Sequence, residues 1–392
     1  MPTSFVPENL RRSFDVVVVG AGIIGAACAY HLTQRGLSVA VVDRGSVAAG
    51  TTGAGEGNIL VSDKGPGPEL DLALLSRRLW RDLAGELGPA VQLESAGGLV
   101  VARRPADVQP LLAFAAAQSG AGVDAQPVDA QDLRSLEPHL AAGLGGGVLY
   151  AQDMQIQPML AAAHLLRLAR RHGATVLFGQ PVIGLLRRGD RVTGVRMAEG
   201  EISAGAVVNA AGTWGGELAA MADVVLPVLP RRGFILVTEA LPQVIRHTVY
   251  TADYVANVAS SSQDLETSTV VERTVSGPLL IGASRERVGF DRTPSLPVLA
   301  KLAREAVALF PFLAQVRALR TYPGFRPYCP DHLPVIGPDP RAPGLFHACG
   351  HEGAGIGLAP ATGLLIADAV SGSAPRLPLA PFAPERFETA HV

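Results

Sequence analysis

The sequence predicts an α/β fold: a Rossmann-like dinucleotide-binding domain joined to a second, α+β domain built on a mostly antiparallel sheet. Three observations predict it. An apolar run over 15–19 opens into G-x-G-x-x-G and returns as a second apolar run closed by an acid; residues 227–292 turn strand-like; and a glycine cluster at 350–357 precedes an apolar helical stretch. The first domain is expected to gather residues 1–95, 150–225 and 324–392, and the second residues 96–149 and 226–323.

At 392 residues the chain has room for roughly two or three compact units with their own cores. Hydrophobic residues make 48% of it and charged residues only 17%, which favours a packed globular protein over disorder. Lys plus Arg (33) nearly balance Asp plus Glu (35), so a net charge of −2 gives no reason to expect nucleic acid as a partner. Cys28, Cys329 and Cys349 are the only cysteines and form no C-x-x-C pair, so a disulfide framework, a zinc site and an iron–sulfur cluster are poorly supported. No His/Cys/Asp cluster has metal spacing, and the expected location is cytoplasmic. Arg11-Arg12 ahead of Val16 to Tyr30 imitates an export signal, but the glycines inside the run favour a strand, turn and helix.

Asp15 to Val19 reads as a strand buried on both faces, Ile23 to Arg35 as a helix that Gly36 stops, and Ser38 to Val42 as a second strand ending at Asp43. Between them, Gly20 permits the tight turn, Gly22 lets the backbone approach a pyrophosphate, Gly25 lets helix and strand pack closely, and the helix N-terminus offers N–H groups to phosphates. Asp43, 18 residues beyond Gly25, can accept from a ribose 2′-hydroxyl and disfavours a 2′-phosphate, which leaves NAD or the ADP half of FAD. The small-residue loop Gly50 to Asn58 has no further βα unit directly behind it, which suits an extended FAD better than NAD.

Further along, Glu69 to Ala84 is an amphipathic helix with Trp80 on its core side, Gly98 to Ala102 a strand, and Pro158 to Gly173 a helix followed by a strand over 174–178. Val192 to Met197 is a hairpin strand and Ala206 to Ala211 another, with Gly212 at the carboxyl end where an open α/β sheet binds its ligand. Phe234 to Thr238, Val270 to Arg273 and Leu279 to Ala283 are strands, Ala300 to Phe310 a helix, and Leu358 to Val370 the last helix.

With these blocks in order, the chain resembles the FAD-dependent amino-acid oxidoreductases, the superfamily of D-amino-acid oxidase, glycine oxidase and sarcosine oxidase. The resemblance rests on Val18 to Gly25 with Asp43, Gly50 to Asn58, Val207 to Trp214, and Gly324-Phe-Arg-Pro327 through Gly350 to Gly357. Gly57 to Glu69 is similar to a narrower branch containing D-hydroxyproline dehydrogenase, opine oxidase and hydrogen cyanide synthase subunits. The resemblance implies a glutathione-reductase-like FAD domain and hydride transfer from substrate Cα to flavin N5, giving an imine. D-hydroxyproline is the leading substrate it implies, with glycine, sarcosine or opines as alternatives. It implies FAD contacts from Gly20, Ala21, Gly22, Ile23, Ile24 and Gly25, from Asp43, Arg44, Thr51, Thr52, Gly57 and Asn58, from Val182, Ala211, Gly212 and Trp214, and from Gly350, Gly353, Gly355, Ile356 and Gly357.

For the chemistry, the resemblance makes Arg326 the clamp of the substrate carboxylate, a task suited to an always-charged bidentate fork. The competing reading pairs Arg326 with Asp331 for structure. Tyr254 resembles the tyrosine that closes the pocket in glycine oxidase, with Tyr250 as the rival, and His351 with Glu352 line the site or serve as polar loop residues. FAD is expected to be non-covalent, because the position of the sarcosine oxidase attachment cysteine falls at Gly324; Cys329 lies close by. The narrower branch implies an electron-accepting partner subunit or a membrane-linked acceptor, a peripheral position at the inner membrane face, and oligomeric assembly. Of a different class are an FAD-bearing subunit active only within a complex and a paralogue that binds FAD without turnover.

Overall fold

The structure, a computed structural model, describes residues 13–258 and 260–387; Arg11 and Arg12 lie outside the described residues. Two eight-stranded sheets organise the chain. In the first, Leu345–Cys349, Gly200–Asn209, Ser13–Val19, Val39–Val42 and Thr175–Leu177 run parallel in that order, with Val335–Pro338 antiparallel at the outer edge. The hairpin Val182–Arg188 and Arg191–Met197 extends this sheet from Gly200–Asn209. Val16, Val17 and Val18 and the whole of Val39–Val42 are buried, as the β-branched runs require of strands covered on both faces. The helices Ile23–Gln34, Pro158–Arg171 and Gly355–Ser371 pack together, and Pro68–Leu87 packs on the last of them.

The second sheet runs Ala318–Tyr328, Leu229–Ala240, Pro278–Arg285, Glu266–Arg273, Thr248–Thr251, Gly98–Ala102, Gly146–Tyr150 and Ala125–Asp129. Every pairing is antiparallel except that of Thr248–Thr251 with Gly98–Ala102. Its strands therefore come from 98–150 and 229–328, and Ala318–Tyr328 crosses the boundary expected at residue 324, staying paired with Leu229–Ala240 as far as Tyr328.

Several expected ends move by a few residues. The last helix starts at Gly355 rather than Leu358, and the strand expected over 206–211 spans Gly200–Asn209, its successor Gly212 turning with φ +56°. The helix Val108–Gly120 and the strand Ala125–Asp129 are not expected from the sequence: alanines occupy exposed as well as buried positions of the helix, and no residue of the strand is fully buried, so neither shows clear apolar periodicity. Trp80 is fully buried, as expected. Its Nε1–H donates to the carbonyl of Ile356 at 3.0 Å. That carbonyl is the one whose usual helical donor would be residue 360, and Pro360 has no N–H, so Trp80 satisfies the group the proline leaves open.

Candidate active site

The parallel strands end together at Val19, Val42, Asn209 and Cys349, and a cavity of about 350 Å³ opens at these carboxyl ends and continues beneath the second sheet. The G-x-G-x-x-G turn forms its first wall. A Cβ on Gly20 (φ +117°) or Gly25 would collide with the carbonyl of Ala210 or of Gly20, whereas one on Gly22 would meet only Thr52 Oγ1, at 3.1 Å, and otherwise enter the cavity. Ile23 N–H donates to Thr52 Oγ1 at 3.0 Å, so the first N–H of the helix is already partnered, and Gly22 and Ile24 line the cavity beside it. The Asp43 carboxylate accepts from Ala21 N–H and Gly45 N–H, each at 2.7 Å, and each oxygen retains a lone pair for a hydroxyl. Arg44 lies 4.0 Å from the centroid of the Trp214 ring.

Of the expected cofactor contacts, Gly20, Gly22, Ile23, Ile24, Asp43, Arg44, Thr51, Thr52, Asn58, Val182, Ala211, Gly212, Trp214, Gly353, Gly355, Ile356 and Gly357 line the cavity. Ala21, Gly25, Gly57 and Gly350 stand behind it. Gly25 packs on the Gly20 carbonyl, Gly57 on that of Ile156, and Gly350 (φ +78°) on the Cys329 sulfur. Their small size shapes the wall. The cradle fits an extended dinucleotide: a glycine turn with open space, an acid at the second strand's end, and the first turn of Gly355–Ser371 all face one cavity.

Beneath the second sheet, the Arg326 Nη1–H donates to the Ser284 carbonyl at 2.9 Å. On the paired strand, Gly233, which lies diagonal to Arg326 and opposite Gly324, has no Cβ, and the guanidinium fills that space. Burial and the nearby Arg285 lower the Arg326 pKa to about 10, which leaves it charged at neutral pH. Asp331, the rival partner, pairs instead with Arg386 at 2.6 Å. Tyr254 lines the cavity, its ring 4.8 Å from Arg285 Cζ, and burial raises its hydroxyl to about 12, so it stays a neutral donor. Tyr250 is buried in the core, bonded to Ser62 and Asp153, and does not reach the cavity.

His351 lines the cavity, but one ring nitrogen is engaged with Thr362 Oγ1 at 2.9 Å, and burial lowers its pKa to about 3, so the ring is neutral. Glu352 receives Arg231 at 2.7 Å and His332 at 3.1 Å. Cys329 is buried behind Gly350, while Cys349 lines the cavity, its thiol pushed up to about 12 by burial. Three further residues line the cavity: Glu56 in the small-residue loop, and Asp63 and Lys64, an ion pair at 2.6 Å. A charged residue among glycines was the available signal for Glu56. Among the described residues, no group of three or more His, Cys, Asp or Glu stands together as a metal site, and no helix is long and apolar enough to cross a membrane.

Fold and cavity together define a two-sheet dinucleotide-dependent oxidoreductase. The chain belongs to the family of FAD dependent oxidoreductases known as DAO, whose family model matches residues 15–369. Hydrogen cyanide synthase subunit HcnC of Pseudomonas aeruginosa is 32% identical, over 97% of this chain and 97% of its own length, and glycine oxidase of Geobacillus kaustophilus is 31% identical over 95% and 97%. The crystal structure of glycine oxidase from Geobacillus kaustophilus superposes with a TM-score of 0.87 at 29% identity, covering 97% of this chain and 100% of that one. That of L-proline dehydrogenase from P. horikoshii has a TM-score of 0.88 at 24% identity over 97% and 99%, a likeness of fold. The chain is thus an FAD-dependent oxidoreductase.

Proposed function

We propose that this chain oxidises a small amino or cyclic imino acid at the Cα–N bond, with the substrate carboxylate held by Arg326. The observation that carries the reading is a cavity-facing guanidinium that forms no ion pair among the described residues, backed by Arg285, whose Nη1 is buried without a partner. One cation in the wall, with a second, Arg285, buried behind it against Tyr254 and short of an acceptor, calls for an anion from outside the protein. Tyr254 adds a neutral hydroxyl donor on the same wall and shields the cations from water. Bound FAD supplies the two-electron acceptor for the oxidation. The product of this chemistry is an imine, which water can hydrolyse.

Glycine-sized substrates lead within this class, because glycine oxidases recur among the relatives. D-hydroxyproline, the narrower expectation, enters as one member of the test panel. An electron-accepting partner subunit is a second reading of the same chain, favoured by the end-to-end match to a protein named as a synthase subunit. Dye-linked turnover on a panel of amino acids, imino acids and the matching hydroxy acids tests the class. Reduction of dye by amino or imino acids alone supports the proposal, and turnover confined to hydroxy acids or polyol phosphates overturns it.

A further inference from the structure

Arg326 and Tyr254, with Arg285 behind them, account for one charge of an amino acid. The other charge also finds a counterpart in this cavity. Glu56 follows the short turn Thr51–Ala54 and lines the cavity, where its Oε1 is enclosed and has no hydrogen-bond partner among the described residues. A buried carboxylate oxygen without a donor is costly, and nearly all such groups in folded proteins are satisfied by protein, water or ligand. The neighbouring strand is cut back to make room for it, since a Cβ on Gly282 would stand 2.7 Å from Oε1. No protein cation closes on it: Arg326 is anchored to Ser284, and Lys64 is held by Asp63.

We propose that Glu56 receives the ammonium group of the substrate, so that the cavity reads an α-amino acid at both of its charges. The assignment rests on the amino-acid reading above. Arg326 meets the carboxylate with Arg285 behind it, and Glu56, whose acidity both of them influence, meets the nitrogen within the same compartment. A neighbouring carboxyl, Glu272, sits deeper and accepts the Gly57 N–H at 2.9 Å. Burial, reinforced by Glu56, pushes Glu272 well above the usual carboxylate range, so Glu272 keeps its proton and Glu56 is free to carry the negative charge. Burial also raises Glu56, to about 7, against the opposing pull of Arg326 and Arg285, and an arriving ammonium lowers it again. A des-amino carboxylate offers no donor there and brings a second negative charge instead.

The test uses the FAD-loaded enzyme and two ligands that lack an oxidisable amine at a Cα–H: 2-aminoisobutyrate and its des-amino counterpart isobutyrate, titrated by calorimetry. In parallel, KM is measured for the amino acid the enzyme oxidises, against the inhibition constant of that acid's des-amino analogue. Glu56→Gln is expected to weaken the amino ligand by about tenfold or more, as for loss of a charge-assisted hydrogen bond, while the des-amino ligand stays within about threefold or binds tighter. Glu56→Asp, which keeps the charge on a shorter arm, recovers part of the loss. Equal weakening of both ligands, or no change in KM for the amino substrate, overturns the role of Glu56 while leaving the amino-acid reading intact. An enzyme that turns over hydroxy acids and no amino acid overturns both.

Discussion

The Arg326 guanidinium is tied through Nη1 to the Ser284 carbonyl at 2.9 Å, so one donor of its fork is fixed to the strand Pro278–Arg285 while the group lines the cavity. Anchoring of this kind holds the cation without neutralising it. Removing it leaves a bound carboxylate desolvated and unpaired, a loss of ~2–5 kcal/mol, so Arg326→Ala is expected to lower kcat/KM by on the order of 10²–10³ fold or more. Arg326→Lys recovers only part, with kcat still reduced, because a single ammonium cannot both bond Ser284 and grip two oxygens. Steady-state kinetics alongside the flavin spectrum checks this; a variant that loses FAD or unfolds shows that Arg326 is structural.

Gly22 and Gly25 share one motif but should fail differently. A side chain at Gly22 meets only a threonine hydroxyl before entering the cavity, whereas one at Gly25 strikes the Gly20 carbonyl. Gly22→Leu therefore gives a folded, colourless protein, and Gly25→Leu a protein that is itself destabilised, by several kcal/mol for a clash against fixed backbone. Thermal melts of the flavin-free forms separate the two. A fully yellow Gly22→Leu sinks the assignment of this turn.

Much of the cofactor cradle was legible because it is written in local sequence. The strand, glycine turn, helix and Asp43 occupy about 30 contiguous residues, and each glycine answers to a backbone contact within that unit or its sheet neighbour. Glu56, inside the loop Gly50 to Asn58, gives no local sign that its oxygen is enclosed against Gly282, more than two hundred positions away. Choosing Tyr254 over Tyr250 had the same difficulty. Both are aromatic and four apart, and only the tertiary fold sends Tyr250 to Asp153 and Tyr254 to the cavity. The boundary at 324 fell inside a strand because Gly324-Phe-Arg-Pro327 carries a site residue while its backbone pairs throughout with Leu229–Ala240.

Trp80 supports the cavity from a distance. Its indole N–H satisfies the Ile356 carbonyl left open by Pro360, and Ile356 lies in the helical turn that faces the cavity. Trp80→Phe removes that donor at a fully buried site and is expected to cost about 1–3 kcal/mol of stability. Denaturant melts check the size; an unchanged midpoint means the carbonyl needs no partner.

The pH behaviour follows from Glu56 and the groups that face it: Arg326, Arg285, Tyr254, Tyr322 and Glu272. With Glu56 raised to about 7, kcat/KM is expected to climb through neutral pH as it ionises, a limb that Glu56→Gln lacks. Its folded pKa lies above its unfolded value, so the stability it contributes is fully present below about 4.5 and is lost as pH rises through about 7. At pH 8, Glu56→Gln should thus melt roughly 1–3 °C above the wild type, a modest figure because the side chain is only half-buried. A lower melting point for the variant contradicts this sign.

If electrons pass to a partner subunit, the isolated chain should reduce an artificial dye faster than it forms peroxide. Equal rates in air identify a self-sufficient oxidase instead.

The most direct measurement of the central claim is anaerobic mixing of the purified, FAD-loaded chain with individual amino and imino acids while the flavin absorbance is followed. Bleaching by at least one of them, with one equivalent of oxidised product per flavin and a rate greatly reduced in Arg326→Ala, is the predicted result. A flavin that stays oxidised with every amino and imino acid, or bleaches equally well in Arg326→Ala, contradicts it.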